Sequence, residues 1–261
     1  MDVSFYTAAV GAQQQQMRLD VHANNIANVN NYGFRARRPN FQTLMTGAVR
    51  GIDETLQRGV GSRLEGDQAD FSPTSFLETG RGLDYCISGD GFFALYNPTT
   101  GEYTYTREGS FTLSNVVETT QPEAPEDAEP GTEAPQPESN ITWYLSDGSG
   151  RYVIGTDGRP ITVADPVNDI AVGVPLPIGV FDFINHDGMQ SEGLSGFIPV
   201  EKNGNPSLVT ESRLIQGYIE LSNVDYAYEL AKVIESQRSF QYMLRMVQTS
   251  DEITTTVNGL R

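Results

Sequence analysis

Cysteine, lysine and histidine are nearly absent from this chain: 261 residues hold one Cys, two Lys and two His. Cys86 alone excludes an internal disulfide framework. It stands in the run Leu83-Asp84-Tyr85-Cys86-Ile87 and reads as a buried, inert thiol. A catalytic thiol would need a base, and neither His22 nor His186 belongs to a nucleophile motif. Uninterrupted apolar runs are only a few residues long, so no segment reads as crossing a bilayer and no membrane insertion is expected. Met1-Asp2-Val3-Ser4-Phe5 lacks the basic and apolar regions of a cleavable secretory signal. Positive charge is scarce too. The net charge of −17 argues against nucleic acid as a partner, and the one basic cluster, Arg35-Ala36-Arg37-Arg38, reads as a solvated arm or a subunit contact.

Motifs of catalysis are equally missing. The chain has no Gly-x-Ser-x-Gly, no His-Glu-x-x-His, no phosphate-binding glycine loop and no Cys or His ligand cluster. Ser88-Gly89-Asp90-Gly91 leads into a strand rather than a helix, so it cannot cradle phosphate at a helix N-terminus. No catalytic residue, cofactor or metal is therefore expected.

What is present is a pattern that changes along the chain. Phe5, Ala9, Ala12, Gln16, Leu19, Ala23 and Ile26 alternate spacings of four and three, a heptad seam about three repeats long. The Asn-rich stretch at Asn28, Asn30 and Asn31, with Gly33 beyond, predicts that this helix stops near Val29. The same spacing returns in Tyr226, Leu230, Val233, Gln237, Phe240, Leu244, Val247, Asp251 and Thr254. Ser222 with Asp225 three residues on has the form of a capping box, which predicts a helix start there. Two such long helices could pack on each other within one chain. A middle domain of short strands rarely needs them, so packing between subunits is the expectation.

Between the helices, turn pairs such as Asn97-Pro98, Asp147-Gly148, Asp157-Gly158 and Asn203-Gly204 separate short β-rich runs. Arg151-Tyr152-Val153-Ile154 and Pro160-Ile161-Thr162-Val163 bracket Asp157-Gly158 as a hairpin. Residues 118–138 hold seven acidic residues, five Pro and no Lys or Arg. Such a stretch cannot bury enough apolar surface to offset its ordering entropy, and it reads as a disordered acidic insert. The predicted fold class is α+β: long N- and C-terminal coiled-coil helices flank an all-β central domain of many short strands.

Three blocks carry a family resemblance. Ala23-Asn24-Asn25-Ile26-Ala27-Asn28-Val29-Asn30 followed by Tyr32-Gly33-Phe34-Arg35 resembles the N-terminal signature of flagellar rod, hook and hook-associated proteins. Gly89-Asp90-Gly91-Phe92-Phe93, then Tyr105-Thr106-Arg107-Glu108-Gly109-Ser110-Phe111, resembles the start of their central β domain. Gln216-Gly217-Tyr218-Ile219-Glu220-Leu221-Ser222-Asn223-Val224-Asp225, continued by Glu235-Ser236-Gln237-Arg238-Ser239-Phe240-Gln241, resembles the family's lead into its C-terminal helix.

The resemblance implies a structural subunit of the bacterial flagellar basal-body rod and no enzyme. Its terminal helices would form the inner tube, with copies of itself and other rod and hook subunits as partners. The flagellar type III apparatus would export it to the basal body in the cell envelope. Gly59-Val60-Gly61 is similar to the extended segment of distal-rod members, so a distal position is favoured. The competing class is a secreted or surface β-domain enzyme with helical docking ends. Expected segments are 1–34 (axial helix and Asn-rich signature), 35–80 (extended linker or β arm), 81–215 (central β domain) and 216–261 (C-terminal axial helix). The expected assembly interface comprises Phe5, Ala9, Ala12, Leu19, Ala23, Asn25, Ile26 and Asn28 from the first helix. The second helix adds Tyr226, Leu230, Val233, Gln237, Phe240, Leu244 and Val247.

Overall fold

The structure, a computed structural model, describes residues 3–43, 47–48, 57–58, 62–119, 139–164, 172–173 and 175–260. It divides into two compact units: Met1–Thr74 with Ser222–Arg261, and Ser75–Leu221.

The first unit contains α1 (Val3–Ala27), β1 (Arg37–Thr43), β2 (Gly47–Ala48), β3 (Gln57–Arg58), β4 (Ser62–Ala69) and, from the far end of the chain, α2 (Tyr226–Gly259). The first helix stops where Asn side chains begin to bond the backbone. Asn28 Nδ2 donates to the Asn24 carbonyl at 2.8 Å, and the Asn28 amide is shared between the Asn24 and Asn25 carbonyls. Strands β1 and β4 then form an antiparallel arm whose register slips between Asn40 and Phe41, and β2 pairs with β3.

Helix α2 begins three residues later than the capping-box reading placed it. Its N-cap is Asp225, whose Oδ1 accepts from the Ala227 and Tyr228 amides at 3.0 and 3.2 Å. Ser222 instead accepts from the Val224 amide through its hydroxyl. The carboxylate wins because it meets two free amides and the positive end of the helix dipole together.

The second unit is built from antiparallel strands. They are β5 (Phe76–Glu78), β6 (Tyr85–Ser88), β7 (Phe92–Tyr96), β8 (Tyr103–Thr106), β9 (Thr112–Thr119), β10 (Ser139–Ser146), β11 (Tyr152–Val153), β12 (Thr162–Val163), β13 (Val180–Asp182), β14 (Gln190–Glu192), β15 (Gly196–Ile198), β16 (Ser207–Leu208), β17 (Arg213–Gln216) and β18 (Tyr218–Glu220). The main sheet runs β12-β10-β11-β7-β8-β15-β14, with β13 also on β7, β16 on β13 and β9 on β10. The chain is thus α+β, with helices at both ends of a many-stranded antiparallel middle. Around Asp157-Gly158 the expected hairpin forms: Gly155 N donates to Arg159 O at 2.8 Å and Ile161 N to Val153 O at 3.0 Å. Strands β9 and β10 pair up to Thr119↔Ser139, and residues 120–138 of the acidic stretch lie outside the described residues.

Leu83, Tyr85, Ile87, Phe93, Leu95, Phe111, Leu145 and Val153 make the core of this unit. The central motif residues serve that core. Gly109 lets the chain pass against β6, since a Cβ there would stand 1.7 Å from the Tyr85 carbonyl oxygen. Gly91 has φ +115°, and a Cβ would collide with Val180. Arg107 is buried, donates to Gly89 O at 2.9 Å and pairs with buried Glu220 at 3.5 Å. Cys86 is fully buried as expected. Desolvation, aided by the charge of Glu220, pushes its thiol up to about 11, so the nucleophilic thiolate is suppressed at neutral pH.

Candidate assembly surface

Within the first unit α1 and α2 run antiparallel and touch over α2 residues up to Ser250. His22 meets Glu229 near one end, and an added Cβ on Gly11 would meet Met243 Sδ at 3.3 Å further along. The occluded stripe on α2 is Glu229, Ser236 and Ser250, with half-buried Val233, Phe240, Met243 and Val247 beside them. On α1 it includes Ala8, Ala12, His22 and Asn25. The terminal helices therefore do pack on each other inside the chain, the alternative to the expected packing between subunits.

That packing takes in Val233, Phe240 and Val247 of the expected seam but is centred on the stripe next to it. Glu229, Ser236 and Met243 are each one residue before Leu230, Gln237 and Leu244, a rotation of about 100° around the helix. Of the expected interface residues, Ala12 is buried, while Phe5, Ala9, Leu19, Ile26, Val233, Phe240 and Val247 are half-buried. Ala23, Tyr226, Leu230, Gln237 and Leu244 are exposed, Leu230 at 42% and Leu244 at 41%. Leu19, Ser236, Gln237 and Phe240 line a groove of about 520 Å³ with Gln15 and Gln16. Every described residue of α2 from Asp251 onward is exposed.

Asn25 and Asn28 do not face outward. Asn25 is completely buried and clamps the start of β1: its Oδ1 accepts from Arg37 N at 2.8 Å and its Nδ2 donates to Arg37 O at 2.8 Å. The same Nδ2 donates to Glu229 Oε1 at 3.0 Å, and His22 Nδ1 donates to Glu229 Oε2 at 2.5 Å. Asn223, just ahead of α2, makes a second clamp, accepting from Ala36 N at 2.6 Å and donating to Asp70 O at 2.7 Å. Buried Arg35 donates to Ser72 O at 2.9 Å. The signature asparagines thus tie both helices to the arm. Arg18, His22, Arg37, Phe41, Asp225 and Lys232 line a cleft of about 500 Å³ at this junction.

Sequence reasoning missed Glu229 and His22. Both stand on the inner stripe, but that stripe is polar at Glu229, Ser236 and Ser250, so a search for apolar periodicity passes over it. Gly59-Val60-Gly61 lies outside the described residues.

Family comparison covers both helical ends. The profile described as "Flagella basal body rod protein" matches residues 5–35, and "Flagellar basal body rod FlgEFG protein C-terminal" matches residues 215–260. Over 270 residues the chain is 30% identical to the flagellar basal-body rod protein FlgG of Buchnera aphidicola subsp. Schizaphis graminum, covering 96% of each. It is 30% identical over 281 residues to FlgG of Bacillus subtilis, again covering 96% of each. This chain belongs to the flagellar basal-body rod protein family. FlgF of Caulobacter vibrioides is a more distant relative, 26% identical over 263 residues. The two rod-family profiles coincide with the two elements that pack together here, α1 with its asparagine clamp and α2 with its lead-in strands.

Proposed function

We propose that this chain is a structural subunit of the flagellar basal-body rod, building the axial tube through α1 and α2 with copies of itself and other rod and hook subunits. It performs no catalysis and needs no cofactor. The exposed seam on α2 carries this reading. Tyr226, Leu230 and Leu244 stay open to solvent after the helix has satisfied its partner within the chain. Covering one such leucine is worth roughly 1 kcal/mol, small for one subunit and large when repeated along a tube. The groove lined by Leu19 and Phe240 continues that seam across to α1.

In the assembled rod the seams pack as coiled coils. The segments 1–34, 35–80, 81–215 and 216–261 then act as axial helix, arm, central β domain and second axial helix. The flagellar type III apparatus exports the chain. A distal position fits the chain-long similarity to relatives named FlgG. Electron microscopy of hook–basal bodies from a strain lacking the gene tests the assignment. Basal bodies should end in a short rod without a hook, and restored expression should restore it. Hooks of wild-type number and length in the deletion strain would overturn the assignment.

A further inference from the structure

Helix α1 carries two buried nitrogens that no described residue pairs. Arg18 Nε and His22 Nε2 are shut off from solvent and have no hydrogen-bond partner among the described residues. His22 as a whole is only 4% exposed. Buried polar groups in folded proteins are nearly always paired, so each of these atoms calls for a partner. Arg18 and His22 stand one turn apart on the same face of α1. Both line the cleft of about 500 Å³ where that helix meets the arm and the start of α2.

The charges around the cleft leave one cation over. Arg18, Arg37, Arg38 and Lys232 line it against three carboxylates, Asp70, Asp225 and Glu229. Each carboxylate is engaged: Asp70 holds Arg38, Asp225 caps α2, and Glu229 accepts from His22 and Asn25. Arg37 pairs with Asp67 at 3.1 Å and Lys232 with Glu235 at 2.8 Å. Arg18 has no ion pair among the described residues, and its guanidinium lies 5.9 Å from the centroid of the Phe41 ring. In a chain of net charge −17, a cleft with a spare cation is a local exception.

We propose that this cleft binds a small oxyanion bearing a hydroxyl, namely hydrogen phosphate, with Arg18 and His22 as its direct partners and Lys232 as a supporting charge. The tautomer of His22 selects that chemistry. Glu229 accepts, so Nδ1 carries the proton in their bond, and a neutral ring then presents a lone pair at Nε2. Arg18 Nε needs an acceptor and His22 Nε2 needs a donor. Hydrogen phosphate supplies both, giving an oxygen to the guanidinium and its O–H to the imidazole. Sulfate has the same shape but no hydroxyl, and it would set an oxygen against the lone pair. The bound ion joins α1 to the first turns of α2, beside the clamp of Asn25 and Glu229. This binding is separate from the rod-subunit role, because a subunit that takes up no phosphate can still build a rod.

Isothermal titration calorimetry of the purified full chain with sodium phosphate tests the site, at constant ionic strength in chloride and about pH 8, where an imidazole is ordinarily neutral. One saturable site is expected, with sulfate roughly fivefold weaker. Arg18→Ala should weaken phosphate about tenfold or more and leave the circular dichroism unchanged. If that variant does not fold, Arg18→Lys keeps the charge and the stem, loses Nε, and should weaken phosphate in its place. His22→Asn keeps a donor for Glu229 but removes Nε2, so phosphate should fall to the level of sulfate. Arg245→Ala, which removes an exposed cation further along α2, should bind phosphate as the wild type does. No saturable heat, or equal losses in Arg18→Ala and Arg245→Ala, would mean an adventitious ion only and overturn the site. Sulfate binding to the wild type as tightly as phosphate would remove His22 from the site and overturn the choice of a hydroxylated ligand.

Discussion

Asn25 Nδ2 donates a 3.0 Å hydrogen bond to Glu229 Oε1 across 204 residues of sequence, joining the end of the first helix to the first turn of the last. The same side chain pairs with both backbone groups of Arg37, so one residue fixes the angle at which the chain leaves α1. Asn25→Ala removes all three bonds and leaves the carboxylate of Glu229 with His22 alone. We expect a loss of about 2–4 kcal/mol, read as a lower urea midpoint at unchanged slope. Glu229→Gln keeps an acceptor oxygen for Asn25 and offers its amide NH2 to His22, whose neutral ring can accept at Nδ1, so it should lose less than half as much. Equal losses in the two variants would show that the clamp depends on charge.

The thiol of Cys86 gives a pH prediction with a definite sign. Its folded-state value is raised to about 11 from an ordinary 9.0, so folding favours the protonated thiol. Its contribution to stability is complete below pH 9 and is lost as pH rises from there to about 11. Relative to wild type, Cys86→Ala should therefore show a flatter decline in unfolding free energy over that window. Iodoacetamide should label the native protein at neutral pH far more slowly than the unfolded chain.

Arg107 and Glu220 form a buried ion pair in the central unit, with the guanidinium also 5.5 Å above the Phe92 ring. Glu220→Ala strands a buried cation and should cost about 3–5 kcal/mol in thermal unfolding of that unit. Replacing both partners by apolar residues of similar size should recover most of the loss. A double variant no better than the single would show that Glu220 is needed for its other contacts.

Because β9 and β10 pair up to Thr119↔Ser139, a short link can close that ladder directly. Replacing residues 120–138 by a few Gly and Ser should change unfolding free energy by less than about 1 kcal/mol. Loss of cooperative unfolding would assign that stretch a structural part.

Helices and strands were legible in the sequence because their periodicity is carried by apolar residues and their ends by Asn, Gly and Asp. The start of α2 was misplaced because Ser222 and Asp225 are both good caps, and only the geometry shows which one meets free amides. The outer seam was visible through Leu230, Leu244 and their neighbours. The inner stripe was not, since His22, Asn25 and Glu229 gain their meaning from a contact between distant parts of the chain. The resemblance puts Asn25 and Asn28 on the assembly interface, but their side chains turn inward: Asn25 meets both backbone groups of Arg37 at the start of β1 and the Glu229 carboxylate, and Asn28 meets the Asn24 carbonyl at the end of α1.

The α2 seam is tested most directly by placing a carboxylate on it. Leu230 and Leu244 are two heptads apart and exposed in the subunit, so Asp at either position costs the folded monomer little. In the tube each carboxylate would be buried without a partner, at several kcal/mol per contact. Cells carrying Leu230→Asp or Leu244→Asp should be non-motile, with basal bodies that bear no hook in electron micrographs, while the purified subunit keeps its wild-type circular dichroism and unfolding. Normal swimming and wild-type hook numbers in both variants would contradict the assembly role of this helix.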